Sequence, residues 1–531
     1  MKFISNSKSL VFLSFIVLYV TNLLNASVYT ESVVNRKLFF TESYQDWDRY
    51  VGKEVLYKDN KSGLKCLISP PKYILKNEFS SLLQKLSKND KSLISSYYGE
   101  SSDYFIMKEL TDMKIIKQID KIFEGIGYNK RDYIMFFYNI NPEDNKISCF
   151  GSIYYRFDHT KELVESKVFF HNSGLSYLQF DITKDNKFDV YLFGKLYKKN
   201  LNYYFPLDSL KYISFSSITA LLTENRIADE ILITKEDLFV KNKFIQKVIT
   251  PSLNPNYYED GAINQFGEYV NISTGKIQTE KYPGINCSGF VKEITDNLIR
   301  LKNPEFKRLT IEECKEKRPD DRKNNSYVAY DDDLDPFFGI DWTKNLADRI
   351  NYYYDYKIIK AEAVNKDKYS QYFEENGYYF KDMQEIIFRD QQKDSSYFYF
   401  IVFNKLRNSK PMIPTFYHIA AVVPIYTTNK FDLKIYESGA ETGYTDILRR
   451  MIPQTIGYNR FNKDIINKLS NQDEIDLINK AFTLKNYSYN ISTALTDNEI
   501  MRIRNIFDNI DFEKEKAVIY KIPIPINCIN K

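Results

Sequence analysis

Between residues 132 and 204 apolar and polar positions alternate in short runs: YIMFFYNI, CFGSIYYRF, SKVFF, LSYLQFDI and FDVYLFGKLY, separated by NPEDN, HNSG and TKDNK. Alternation with period two sends neighbouring side chains to opposite faces, while Asn, Asp, Gly and Pro turn the chain. The stretch therefore predicts an antiparallel meander of about five strands. Upstream, Phe79, Leu82, Leu83 and Leu86 fall at helical spacing over 78–86, and a second amphipathic stretch covers about 107–123. Downstream, Phe290, Val291, Ile294, Leu298 and Leu301 line one face of a helix that begins at Cys287. Residues 342–353 predict a further helix with Asp341 as its cap. A strand opens at His418 (HIAAVVPIY), turns through TTNK and returns as FDLKIYESG, which predicts a β-hairpin. VIYKIPIPI, 518–526, reads as a last strand.

The Pro, Asn, Asp and Gly of PSLNPNYYEDG mark a boundary at 250–261 between an N-terminal accessory region, 27–260, and a C-terminal domain, 261–531. Residues 302–410 are charged and tyrosine-rich. Their acidic cluster, Asp331, Asp332, Asp333 and Asp335, reads as a solvated loop, because DDDLD lacks the spacing of a calcium loop. Residues 1–26 have the three-part layout of a signal peptide: Lys2 and Lys8, an apolar run over 10–24, then Ala26 before Ser27. That run is shorter than the ~20 residues a spanning helix needs, and no later one stays free of charge. The mature chain is expected to be exported, periplasmic or extracellular, without an integral membrane span.

At 531 residues the chain is long enough for two or three domains, and 43% hydrophobic residues suffice for ordinary cores. Its formal charge of only +4 argues against nucleic acid as a partner. Five cysteines are too few for a disulfide scaffold, and no pairing among Cys66, Cys149, Cys314 and Cys528 is expected. Neither HExxH nor CxxC occurs, so no metal or other cofactor is expected. His159 and His171, at strand ends beside turns, read as surface or structural side chains.

The remaining chemistry concentrates in KYPGINCSGFVKEI, 281–294. A thiol in the first helical turn faces unpaired backbone N–H groups and the positive end of the helix dipole, which favour the thiolate. A buried structural cysteine is the alternative reading. A nucleophilic cysteine needs a base, and His418 is the one histidine C-terminal to Cys287. The hairpin then sets a residue of 436–438 opposite His418 to orient the imidazole.

NCSGFVKEI followed by HIAAVVPIY and KIYESGA resembles the NlpC/P60 superfamily of cysteine peptidases over roughly 261–447. The resemblance implies an α+β, papain-like domain that cleaves amide bonds in peptidoglycan-type peptides, preceded here by a mixed α/β region carrying the meander. It implies Cys287 as nucleophile, His418 as base and Glu437 as third member, with Tyr436 and Ser438 as rivals. It also implies an oxyanion or substrate-binding role for Tyr269, Asn286 and Ser288. The family's usual Asp before the cysteine is Asn286 here. Its usual third residue is His, Asn or Gln, and the long interval to His418 implies an inserted subdomain over about 302–410. A non-catalytic binding protein on the same fold and an exported acyltransferase using the same residues are the alternatives.

Overall fold

The computed structural model describes residues 132–232 apart from a few loop positions, 238–316, 335–355, 376–406, 414–448 apart from 428–429, 472–487 and 516–529, with short stretches elsewhere. The chain is mixed α+β with antiparallel sheets, and it divides after Leu232 into two compact units. The signal segment 1–26 and the helix expected over 78–86 lie outside the described residues. Within 107–123, Gln118, Ile119, Ile122 and Phe123 are helical, whereas Met107 ends a strand, Tyr104–Met107.

The first unit carries a seven-stranded antiparallel sheet: β1 (Lys37–Thr41), β2 (Tyr133–Asn141), β3 (Lys146–Phe157), β4 (Leu163–Phe169), β5 (Tyr177–Asp181), β6 (Lys187–Leu192) and β7 (Lys195–Asn202), neighbours in chain order. The meander β2 to β7 has six strands, one more than expected. The extra strand arises because FDVYLFGKLY is broken by a two-residue turn. Leu192 pairs with Lys195, and Phe193 and Gly194 between them both have positive φ (50° and 82°), the conformation that matches the strands' twist. Phe136 is packed by Phe123, Tyr138 and Phe169. Phe150 meets Phe215 of α1 (Phe215–Glu224) with ring centroids 4.1 Å apart. His171 is buried, its Nε2 2.7 Å from the Ile231 carbonyl, and burial lowers its pKa to about 3. It is a structural side chain, and His159 is exposed beside a turn.

The second unit begins upstream of the 250–261 break. In α2 (Leu238–Phe244), the buried Lys241 donates to Gln391 Oε1 (2.6 Å) and the Pro424 carbonyl (3.0 Å). Asn297 Nδ2 donates to the Val248 carbonyl (3.0 Å) and Ser252 Oγ (2.8 Å). These buried bonds fasten 238–252 to the later chain, so the division falls at Leu232.

Two short strands, β8 (Gly261–Ile263) and β9 (Tyr269–Asn271), pair with each other and precede helix α3 (Cys287–Lys302). An eight-stranded antiparallel sheet follows. Its path runs from the two-residue strand Tyr372–Phe373 through β10 (Gly377–Tyr379), β15 (Lys516–Pro523), β11 (Tyr397–Leu406), β12 (Pro414–Thr427) and β13 (Lys430–Glu437) to β14 (Ala440–Gly443), and Ile359–Lys360 pairs with β15 off this path. The inserted subdomain was expected over 302–410, and parts of that segment are described. Helix α4 (Phe338–Tyr354) packs on α3, with Trp342 Nε1 donating 3.0 Å to the Ser288 carbonyl. Strand β11 lies between β15 and β12, with Phe398 to Phe403 buried on both faces. A strand covered on both faces reads as a continuous apolar run rather than an alternation. Helix α5 (Met383–Lys393) sends Asp390 and Gln391 onto Tyr399 of that strand.

Helix α4 also starts earlier than expected, so Asp341 lies inside its first turn rather than capping it. The chain enters α4 through Asp335, whose Oδ1 accepts from Phe337 N (3.0 Å), and Asp335 is buried rather than solvated. Asp331, Asp332 and Asp333 lie outside the described residues. Among the described residues no helix is long and apolar enough to cross a membrane.

The seat of α3 is a backbone contact. A Cβ on Gly289 would come 2.2 Å from the Gly261 carbonyl, and one on Gly261 would come 2.1 Å from the Gly284 carbonyl. Because the obstructing atoms are backbone, they cannot swing aside. Gly289→Ala should cost about 3 kcal/mol, the upper end of an overpacked core. A chemical denaturation midpoint equal to that of the unsubstituted protein would show the seat to be loose.

Candidate active site

The loop before α3 is built to present Cys287. Gln278 is buried, donates to the Val270 and Gly284 carbonyls (3.0 Å each) and accepts from Gly284 N (2.8 Å), which pins the chain as it turns toward the helix. Asn286 caps α3: its Oδ1 accepts from Gly289 N (2.9 Å) and its Nδ2 donates to the Glu259 carbonyl (2.6 Å). In the structure both ends of the Asn286 amide are engaged within the chain. An aspartate could make the first bond but has no proton for the second.

Helix α3 is buried on every side from Ser288 to Ile299, not along one apolar stripe. Its polar positions are covered because they are paired. Lys292 and Asp296 are 2.7 Å apart with no exposure, Asp296 Oδ1 accepts from Leu309 N (2.9 Å), and Glu293 takes two bonds from Arg308 at 2.9 Å. Residues 303–315, charged in sequence, serve as the lid of this helix.

His418 is not the first residue of its strand. Strand β12 begins at Pro414, and the register against β11 slips at Tyr417, so that Phe403 faces His418 while Asn404 faces Phe416. A bulge of this kind re-aims the side chain beside it. Across the hairpin Tyr436 pairs with Ala421, which sets Glu437 diagonal to His418 on the same face. His418 Nε2 lies 2.6 Å from Glu437 Oε2, which leaves Nδ1 for the Cys287 sulfur, and the two side chains are hydrogen-bonded. Cys287, His418 and Glu437 therefore form one connected group. Tyr436 is buried and Ser438 occupies the turn at φ 48°.

The electrostatics follow from these contacts. Burial by itself raises the Cys287 thiol, but the His418 charge and hydrogen bond, the Ile419 N–H and the Ser288 hydroxyl outweigh it and lower the pKa. Burial would lower His418, yet the Cys287 charge and hydrogen bond and then Glu437 hold it well above the ordinary imidazole range. Burial would raise Glu437, and the His418 bond and charge, the Arg450 charge and the Thr442 hydroxyl bring it down to about 2. Each side chain is held in its charged form by the next.

Of the other residues singled out in the sequence, Ser288 touches the sulfur through its hydroxyl and α4 through its carbonyl. Tyr269 sits in the β8–β9 hairpin within the field of Arg308, its carbonyl accepting from Gln278 N. Tyr257 lies within the field of Cys287, its phenol raised by burial and then by the Cys287 charge. The residue is 66% exposed, and its backbone pairs with Ile285. Its position two residues from the turn-forming NP pair was a signal of loop placement only. Arg450, in the helical segment after β14, forms an ion pair with Glu437 Oε1. Neither Tyr257 nor Arg450 carries a motif of its own.

Among the described residues no three His, Cys, Asp or Glu side chains group as a metal would require, and Cys149, Cys287, Cys314 and Cys528 are free thiols. Cys149 is pushed up to about 12 by burial, and Cys314 is also raised, by burial first. Iodoacetamide near neutral pH should therefore modify Cys287 and spare Cys149 and Cys314, as read by peptide mass spectrometry. The selectivity should decline below the titration of the lowered Cys287 thiol, where the thiolate is protonated. Equal labelling of the three would remove the activated thiol.

Asn286→Asp places an acceptor against the Glu259 carbonyl and should cost about 1–3 kcal/mol in unfolding free energy. An unchanged thermal midpoint would show that the second bond contributes nothing.

Compared with models of known families, with curated protein sequences and with solved structures, the chain gave no match.

Proposed function

We propose that the protein is an exported cysteine peptidase or amidase whose second unit has a papain-like arrangement and acts on peptidoglycan-type peptides. The observation that carries this reading is the connected group itself: a thiol in the first turn of a buried helix, an imidazole bonded to it and a carboxylate 2.6 Å from the far ring nitrogen. The substrate class and the export rest on the resemblance of NCSGFVKEI and HIAAVVPIY and on the layout of 1–26.

In this reading the Cys287 thiolate attacks the carbonyl carbon of the scissile amide. The developing oxyanion is met by the Cys287 backbone N–H, one of the orphan donors at the helix start, and by the Tyr257 phenol. His418 gives its Nδ1 proton to the departing amine, then takes a proton from the water that resolves the thioester. Glu437 stays ionised throughout and keeps the ring oriented. Tyr257 is brought to the site by the Asn254 N–H, which donates 2.8 Å to the Gly439 carbonyl in the turn after Glu437.

The test incubates the full chain with defined peptidoglycan peptides and reads new amine and carboxylate termini by mass spectrometry. Cleavage should be abolished by Cys287→Ala and reduced about 100-fold by Glu437→Gln with unfolding unchanged. Cleavage that survives Cys287→Ala, or a rapidly alkylated Cys287 in a chain that cleaves no such peptide, would overturn the assignment.

A further inference from the structure

The Glu437 carboxylate is 5% exposed and serves two cations with its two oxygens: Oε2 faces His418 Nε2 at 2.6 Å, and Oε1 is paired with Arg450 Nη2. A carboxylate held at one oxygen only can turn about its last torsion and lose its aim. With the second oxygen clamped by a guanidinium, its plane is set. The backbone beneath adds to this: Ser438 and Gly439 turn at φ 48° and 86°, and Gly439 is tied to Asn254. Arg450 is itself half-exposed, so it reaches in from the rim of the site and leaves the core intact.

We propose that Arg450 is a positioning residue for the Cys287, His418 and Glu437 group, acting through Glu437 to keep the imidazolium–thiolate pair intact. The inference rests on the reading of these three residues as a nucleophile, base and orienting acid. The groups that face Glu437 are His418 from β12, Arg450 from the segment after β14 and the Thr442 hydroxyl from β14 itself. Cys287 of α3 faces His418 from the other side, and Glu441, the nearest further carboxylate of β14, is paired with Lys434 at 3.1 Å. Arg450 is thus the permanent positive charge on Glu437. Histidine cannot fill that role, because its own charge depends on the carboxylate.

The sign of the effect follows. Without Arg450 the carboxylate takes up a proton at higher pH, His418 loses its counter-charge, and the ion pair gives way to the neutral pair before the solution becomes as acid as it otherwise must. The acid limb of Cys287 reactivity then moves up in pH.

The experiment measures the rate of Cys287 alkylation by iodoacetamide across pH in the full chain, with thermal unfolding as a check on folding. Arg450→Gln should move the acid limb up by about one pH unit, the low end for an opposite charge at this range because the guanidinium is half-exposed. Arg450→Lys should recover most of the shift, since it restores the charge without the fork. In the Glu437→Gln background, Arg450→Gln should produce no further shift. An unmoved limb in folded Arg450→Gln, or the same shift with and without Glu437, would overturn the proposal. Alkylation needs no substrate, so an incorrect peptide assignment leaves this result readable, and slow alkylation of the unsubstituted protein at all neutral pH values would instead sink the nucleophile reading.

Discussion

The position of the Cys287 sulfur depends on a contact in which no side chain takes part. Helix α3 comes so close to β8 that a single Cβ at Gly289 would strike the Gly261 carbonyl, and Gly261 in turn presses on the loop at Gly284. Three glycines set 28 residues apart or less thereby fix the helix start, the strand and the loop as one block. The cap of Asn286, the Gln278 staple and the Trp342 bond to Ser288 hold that block from three further directions. Packing of this density transmits small displacements, so a sulfur placed by it keeps its distance from the histidine. In the proposed reaction, the precision that acyl chemistry asks of a nucleophile is supplied first by these backbone sterics.

How much of this could be seen in the sequence follows from which signals are local. His418 stood out because histidines are scarce, whereas strand parity alone left Glu437 and its neighbours Tyr436 and Ser438 open, and the hairpin register is what sets Glu437 on the His418 face. The bulge at Tyr417 left that parity intact between His418 and the hairpin turn. The meander was legible down to its turns, except where Phe193 adopts a positive φ that a non-glycine residue rarely takes. Within 302–410 the sequence signal was weak at strand β11 for a different reason. Strand β11 is buried on both faces, so it lacks alternation, and its Tyr and Phe do not stand out in a chain with 44 and 38 of them. The polar positions of α3 carry no such signal in sequence: Lys292 and Asp296 pair with each other, and Arg308 and Leu309 are brought onto Glu293 and Asp296 by the fold.

Tyr257 and Arg450 show the limit of reading residues singly. Each reaches the site from a segment that carries no motif, and each is chosen by long-range geometry: the Asn254–Gly439 bond for the first, the helical segment after β14 for the second. Asn286 is the converse case. Its place before the cysteine suggested a substrate contact, whereas its amide is the group that can both cap α3 and donate to Glu259.

In the proposed reaction, a carboxylate as third member, where a neutral side chain would also orient the ring, changes the timing of proton transfer. The strongest influence raising His418 is the charge on Cys287, with Glu437 second. Attack converts the thiolate to a neutral thioether-like sulfur, so the larger influence disappears as the bond forms and the imidazolium becomes a stronger acid when the leaving amine needs its proton. After the amine departs, only Glu437 still supports a proton on the ring. The histidine then lies closer to its ordinary range, where it can take a proton from water. Burial works against the imidazolium at every stage, and an ionised Glu437 is what keeps the ring from becoming too weak a base for that second step.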